Sequence, residues 1–207
     1  MGRRRVLLGL AATAMATMAM VGSASAGVLA PTAANCDDAT ASKVFQPWLD
    51  GASYSLAPGG DAEGSTAGWT FAGGSQVVSG NEPWKVGGGG AKSFAIPSGG
   101  KLTTAPVCVG LENPTIRFFA RRTGGSLLST LSVSVRFQTV LGLTATLPIG
   151  VVPGLSTSWS PSLPMTVVAN LLPLLPNDKT AVQFQFTPVL GGSWQVDDVY
   201  VDPMRMR

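Results

Sequence analysis

The sequence has no histidine, only two cysteines and few charges, with 12 % of its 207 residues Asp, Glu, Lys or Arg. Each shortage excludes a chemistry. Without histidine there is no Ser-His-Asp or Cys-His nucleophile system, no His-ligated zinc and no imidazole base near neutral pH. Two cysteines cannot build a zinc site alone. No GxSxG elbow or phosphate-binding P-loop occurs. Gly87-Gly88-Gly89-Gly90 is glycine-rich but precedes no helical pattern whose N-terminus could hold a phosphate, so a hairpin loop is expected there.

Long apolar runs are also scarce, and the main one is at the start. Arg3, Arg4 and Arg5 lead into Val6–Val21, which closes on Ala24-Ser25-Ala26. A basic start, a short apolar core and a small-residue site describe a cleavable export signal over residues 1–26. The run is shorter than the ~20 residues of a membrane span, so no stable membrane insertion is expected after cleavage. Triple arginine also raises twin-arginine export, although most of that motif's flanking pattern is missing. The mature protein is expected to begin near Gly27 and to work outside the cytoplasm.

Cleavage also changes the charge. The formal +3 includes those three arginines, so the mature chain balances eleven basic residues against eleven acidic ones. A nucleic-acid partner, which the basic pI would suggest, is not expected.

What is abundant is glycine and proline, 26 and 15 residues, a composition suited to turn-rich β structure. Residues 27–35 read as a flexible leader and 36–207 as a single domain. Cys36 and Cys108 are expected to form one disulfide in an exported protein. That bridge would close a loop of about 70 residues, worth roughly 4 kcal/mol in a chain-entropy picture.

Short apolar segments alternate with Gly/Pro/Ser turns. Strands are expected over Ser75–Gly80, Lys92–Pro97, Lys101–Val109, Thr115–Arg122, Leu131–Gln138, Leu143–Ile149, Ala181–Phe186 and Ser193–Asp202. Leu131, Val133, Val135 and Phe137 alternate with Ser132, Ser134, Arg136 and Gln138, a period of two that defines a half-buried strand. In the last segment Val196, Val199 and Val201 cannot share a face of a regular strand. A β-bulge at Asp197-Asp198 would restore the phase. Met165–Leu175 could form a helical turn, kept short by Pro164, Pro173 and Pro176. The fold class expected is all-β, a two-layer antiparallel β-sandwich of jelly-roll type. An immunoglobulin-like sandwich is the alternative, but no obvious buried Trp lies between the two cysteines.

Paired carboxylates are the one catalytic device left, and the spacing of the acidic residues marks no acid and nucleophile. No catalytic residue and no enzymatic activity are expected. Two binding faces are candidates. Trp84 lies in a polar, glycine-flanked loop with Asn81, Glu82 and Lys85, suited to stack on a sugar ring, or else it plugs the core. Arg117, Arg121, Arg136, Gln138, Gln183 and Gln185 would line one sheet surface if their strands are neighbours. Such a surface suits hydroxyls or carboxylates, or is the solvated side any antiparallel sheet must have. Trp69, Trp159 and Trp194 fall at strand ends and are expected in the core.

At Gly59-Gly60-Asp61-Ala62-Glu63-Gly64, followed by Gly68-Trp69-Thr70, the chain resembles the opening of jelly-roll carbohydrate-binding modules of the galactose-binding-domain-like group. Trp194-Gln195-Val196-Asp197-Asp198-Val199-Tyr200-Val201 resembles the Ile-Asp-Asp-Val strand that closes them. Ala62 stands where those modules usually carry Phe. The chain is also similar to secreted bacterial proteins sharing Gly80-Asn81-Glu82-Pro83-Trp84 and Arg117-Phe118-Phe119-Ala120-Arg121, a set with no activity to carry over. The resemblance implies a structural Ca²⁺ held by Glu63 and Asp197, with Asp198 as the register alternative and Asp61 nearby. It also implies a secreted, non-enzymatic module for an extracellular or cell-envelope glycan. A structural or protein-interaction domain of the cell surface is the alternative, and a carboxylate-based glycoside hydrolase comes third.

Overall fold

A computed structural model describes residues 40–110, 115–167 and 179–202. The strands run in chain order from β1 (Ala41–Ser42), β2 (Tyr54–Leu56), β3 (Thr70–Ala72), β4 (Gln76–Ser79) and β5 (Lys92–Ile96). Next come β6 (Lys101–Thr103), β7 (Val107–Gly110), β8 (Thr115–Gly124), β9 (Thr130–Gln138) and β10 (Thr144–Pro153). Then follow β11 (Ser160–Pro161), β12 (Met165–Thr166), β13 (Lys179–Val189) and β14 (Ser193–Val201). Among the described residues, one 3-10 turn covers Gln46–Trp48.

These strands form two antiparallel sheets packed as a jelly-roll sandwich. The spine of the first is β14. One of its edges carries β8, and the other carries β5 over Trp194–Val196 and β2 over Tyr200–Val201. β1 and β4 extend this sheet beyond β2 and β5, and β11 and β12 pair with β8. The second sheet has the order β10-β9-β13-β6-β3, with β7 also pairing with β13.

Period-two patterning explains how the layers meet. Leu131, Val133, Val135 and Phe137 of β9 face inward beside Val182, Phe184 and Phe186 of β13. They meet Phe94 and Ile96 of β5 and Ile116, Phe118 and Ala120 of β8 from the opposite layer. Each fully buried Phe or Leu contributes about 1.5–3 kcal/mol, so this interleaved core dominates the fold's stability. Trp69 stacks on Phe94 at 4.3 Å and 15°, and its indole N–H donates to the Pro58 carbonyl at 2.7 Å. Trp194 is buried and donates to Ser129 Oγ at 3.2 Å. Both belong to the core, as expected.

The bulge expected at Asp197-Asp198 is present. The β14–β8 register shifts between Asp197 and Tyr200, and Asp198 takes φ +50°. Two expectations differ from the structure. Lys101–Val109 is two strands, β6 and β7, because the chain leaves the sheet at Thr104–Pro106. Met165–Thr166 pairs with Thr115–Ile116 as β12 instead of starting a helical turn, so backbone pairing wins over the local pattern. The rest of that segment, 168–178, lies outside the described residues, as do the export signal, the leader and Cys36. Cys108 is half-buried on β7 and is not a free thiol. No helix among the described residues is long and apolar enough to cross a membrane.

A second, smaller core covers the outer face of the first sheet. Phe45, Tyr54, Phe119 and Tyr200 are buried together, with Trp48, Val86 and Trp159 packed against them. Phe45 stacks on Phe119 at 5.5 Å and meets Tyr54 edge-on at 5.0 Å. The segment from Val44 to Tyr54 thus lies over a sheet face that would otherwise be wet.

Candidate functional site

The outer face of the second sheet is polar and open. Alternation sends Ser132, Ser134 and Arg136 of β9 outward with Gln183 and Gln185 of β13, none of which enters the core. Register then aligns them: Arg136 lies between Thr146 of β10 and Gln183 of β13, and Gln185 lies between Ser134 of β9 and Thr103 of β6. Thr103 in turn faces Thr70 of β3, and Lys101 faces Ala72. The Gln185 amide donates to Thr103 Oγ1 at 3.2 Å, and the Gln183 amide donates to the Thr104 carbonyl at 2.9 Å. These bonds hold both glutamines flat along the sheet.

A shallow groove of about 270 Å³ crosses this face from β3 to β10. Thr70, Ala72, Lys101 and Thr103 line one half of it, and Gln185, Arg136 and Thr146 the other. Among the described residues, no carboxylate and no aromatic ring line it. Neither Arg136 nor Lys101 is engaged by a carboxylate among the described residues. Of the groove residues, sequence reasoning named Arg136 and Gln185 and missed Lys101, Thr103, Thr146 and Thr70. The signal was available for three of them. Leu102 alternates with Lys101 and Thr103, and Leu147 with Thr146, as in the strands that were read correctly.

Arg117 and Arg121 do not join this face. Their strand, β8, lies in the first sheet, so the six-residue polar surface splits between two layers. Arg117 is buried, with its guanidinium 2.6 Å from Asp50 Oδ2 and 4.2 Å above the Phe45 ring. It also donates to the Ser162 carbonyl at 2.7 and 3.0 Å. Arg121 donates to Gln195 Oε1 at 2.6 Å and lies over Trp159 at 5.0 Å. Both arginines hold the covering segments to the first sheet, so their expected ligand role is corrected to a structural one. Gln138 is exposed at the end of β9, outside the groove lining.

The Trp84 loop connects β4 to β5 as a hairpin, closed where the Gly80 amide donates to the Ala91 carbonyl at 2.8 Å. Trp84 is 46 % exposed and meets Trp48 edge-on at 5.1 Å and Phe119 at 5.4 Å. Its ring is half platform and half lid over the smaller core. Glu82 is only 1 % exposed and cannot reach a ligand. Its carboxylate accepts from the amides of Trp84 and Val86, each at 2.5 Å, and folds the loop around itself. Asn81 donates to the Glu82 carbonyl at 3.1 Å, while Lys85 is exposed at φ +56°. The correction is therefore for Glu82, which supports the loop from inside.

Beneath that loop lies a buried acidic cluster. Asp197 accepts from the amides of Glu82 at 3.0 Å and Asp198 at 2.9 Å, which occupies both of its oxygens. Asp198 accepts from the Gly87 amide at 3.0 Å. Burial pushes Asp197 up to about 8, and it raises Asp198 as well, with the Glu82 and Asp61 charges adding to the rise. Burial, then the Asp198 charge, also raises Tyr200. Glu63 accepts from the amides of Ala91 and Lys92, each at 2.5 Å. Hard carboxylate oxygens suit calcium chemically. As folded here, no three carboxylates among the described residues are arranged to hold a metal ion.

No family model matches the sequence, and none of the curated proteins does. Solved structures do match. The tandem CBM22-1–CBM22-2 domain from Paenibacillus barcinonensis Xyn10C superposes with a TM-score of 0.51 at 14% identity, over 85% of this chain and 49% of that one. The fold shared with it is the jelly roll. The CBM22-1–GH10 modules of Clostridium thermocellum endo-1,4-beta-D-xylanase 10B, complexed with xylohexaose, match at 0.51 and 14% identity, over 69% of this chain and 27% of that one. The CBM22-1 xylan-binding domain from the Paenibacillus protein matches at 0.48 and 15% identity, over 70% of this chain and 91% of that one.

Proposed function

We propose that this protein is an exported, non-enzymatic module that binds an extracellular or cell-envelope glycan on the outer face of its second sheet. The observation carrying this reading is the groove from β3 to β10, which offers hydroxyl, amide and cationic groups in fixed register. Hydroxyls of a sugar chain need donors and acceptors held in place, and strand-borne side chains supply them with little ordering cost. The groove has no carboxylate pair for glycoside hydrolysis. Solved structures of similar fold include a complex with xylohexaose.

The test is affinity electrophoresis of the mature protein through gels containing different polysaccharides. Retardation that is lost in Gln185→Ala and kept in Trp84→Ala places binding in the groove. The opposite pattern moves it to the Trp84 loop. No retardation in any gel, with the protein folded, removes the glycan reading.

A structural calcium ion held by Glu63 and Asp197, with Asp198 as the register alternative and Asp61 nearby, is a separate proposal. Binding would require Asp197 to give up the Glu82 or Asp198 amide. Higher thermal stability in calcium than in chelator supports it, and identical melting counts against it.

A second reading, a surface-interaction domain, is favoured by exposed leucines at one end of the sandwich. Leu127, Leu128, Leu155 and Leu190 are 60–76 % exposed. Their loops touch: a Cβ on Gly125 would lie 2.6 Å from the Gly191 carbonyl oxygen, and Arg122 donates to the carbonyls of Gly154 and Gly125. Such patches mark contact surfaces. Concentration-dependent association seen by sedimentation and abolished by Leu127→Ser with Leu155→Ser would support this reading.

A further inference from the structure

We infer that the glycan held in the groove is an acidic one, a polysaccharide bearing carboxylates along its chain. This rests on the proposal that the groove binds glycan at all, and it adds the ligand's charge class. Three observations carry it. Lys101 and Arg136 both line the groove, and neither has a carboxylate partner among the described residues. Among the described residues, no acidic side chain lines the groove to repel an anion. No aromatic ring among the described residues lines it either, so they offer no stacking surface for a neutral sugar there.

Charge then decides. A neutral hydroxyl gains only a bond it already has with water, whereas a carboxylate on a guanidinium forms a charge-assisted bond roughly twice as strong. Arg136 offers a planar fork suited to bidentate carboxylate contact, and Lys101 offers a mobile point charge. The two are set diagonally across the sheet. Lys101 lies beyond Gln185 along the strand direction and Arg136 lies before it, two strands apart. From strand spacing and rise their Cα atoms are ~16 Å apart, farther than one sugar ring reaches. A chain with repeated carboxylates meets both; a single acidic sugar does not.

The rest of the charge distribution agrees. Among the described residues, Asp50, Glu82, Asp197 and Asp198 lie on or against the other sheet, which leaves the groove cationic. Such a field also draws anionic chains toward this face.

The test compares polygalacturonate, xylan and inorganic polyphosphate as ligands for the mature protein, with Lys101→Gln and Arg136→Gln beside wild type. The expected result is preference for polygalacturonate, weakened by added salt and about tenfold weaker in each variant. Equal binding of xylan by wild type and both variants, with loss in Gln185→Ala, would overturn the acidic ligand and leave the glycan-binding groove standing. Polyphosphate bound as tightly as polygalacturonate would also overturn it, showing a general polyanion surface. No binding of any of the three by folded protein would take both proposals down. Melting temperatures of the variants within a few degrees of wild type show that the losses are local.

Discussion

The Arg117 guanidinium lies 2.6 Å from the Asp50 carboxylate with both side chains largely shielded from water, tying the segment under the smaller core to β8. The same guanidinium covers the Phe45 ring and holds the Ser162 carbonyl. Removing it leaves Asp50 buried without its cation and Ser162 without its donors. Arg117→Ala should destabilise the protein by about 3 kcal/mol, roughly 6–12 °C in Tm. Arg117→Lys keeps the charge without the planar fork and should fall between the two. Thermal melts of the three proteins decide it, and an Ala variant as stable as wild type would show the pair to be idle.

Asp50 and Asp202 should shape the pH dependence of stability in opposite directions. Burial works to raise Asp50, but hydrogen bonds from Tyr54, the Ala52 amide and Arg117 outweigh it and hold the carboxyl below its ordinary 3.8. Its contribution is present above that value and is lost as pH falls through the lower folded pKa. Burial, and then the Asp50 charge, push Asp202 up to about 6. Here the folded state binds the proton more tightly, so the contribution is present below 3.8 and lost as pH rises through about 6. Asp202→Asn should flatten the decline in urea midpoint between pH 4 and 6 by on the order of 2 kcal/mol. Asp50→Asn should remove part of the fall on the acid side. Parallel pH curves for wild type and variants would refute both assignments.

What was legible in the sequence follows from which signals are local. Alternation in Leu131–Gln138 and Ala181–Phe186 identifies β9 and β13, and it puts Arg136 and Gln185 on the wet face where the groove lies. The phase break at Asp197-Asp198 marks the bulge because a period of two has one way to be violated there. Sheet membership is not local. Thr115–Arg122 alternates just as clearly, yet nothing in its pattern says that β8 pairs with β14 and not with β9. Arg117 and Arg121 were misplaced for that reason. The second core was hidden for another. Phe45, Trp48 and Tyr54 come from a segment without periodicity, and only folding places them over Phe119. Short strands such as β3 carry too few residues to show a period, so Thr70 was missed as well.

Glu82 should govern the order of the Trp84 loop. Its carboxylate takes the amides of Trp84 and Val86, while its own amide is held by Asp197. Glu82→Gln turns one acceptor into a donor facing an amide, which should cost about 1–3 kcal/mol. Trp84 then loses its seat against Trp48 and Phe119. The expected readouts are a red shift in tryptophan emission and faster quenching by acrylamide, both weakened when Trp84→Phe is added. Unchanged emission would mean that the aromatic contacts alone hold the ring.

Gly60 and Gly64 lie four residues apart in one turn and should answer differently to the same substitution. The turn docks on the β14 bulge through two backbone bonds and closes on itself through a third. Ala57 donates to the Val199 carbonyl at 2.8 Å, Val199 to the Gly60 carbonyl at 3.0 Å, and Gly60 to the Ala57 carbonyl at 2.8 Å. A Cβ on Gly60 would lie 2.7 Å from the Val199 oxygen and 3.0 Å from the Ala57 oxygen, both backbone atoms that cannot swing aside. Gly60→Ala should therefore cost about 1–3 kcal/mol by forcing the turn off the bulge. At Gly64 nothing lies within 4 Å, so Gly64→Ala meets no obstacle there. Its narrower unfolded ensemble should make it neutral or more stable by about 0.5 kcal/mol. Urea midpoints of the two variants give the comparison. Equal effects would show that the close approach of turn and bulge does not constrain the fold, because backbone entropy alone distinguishes neither site.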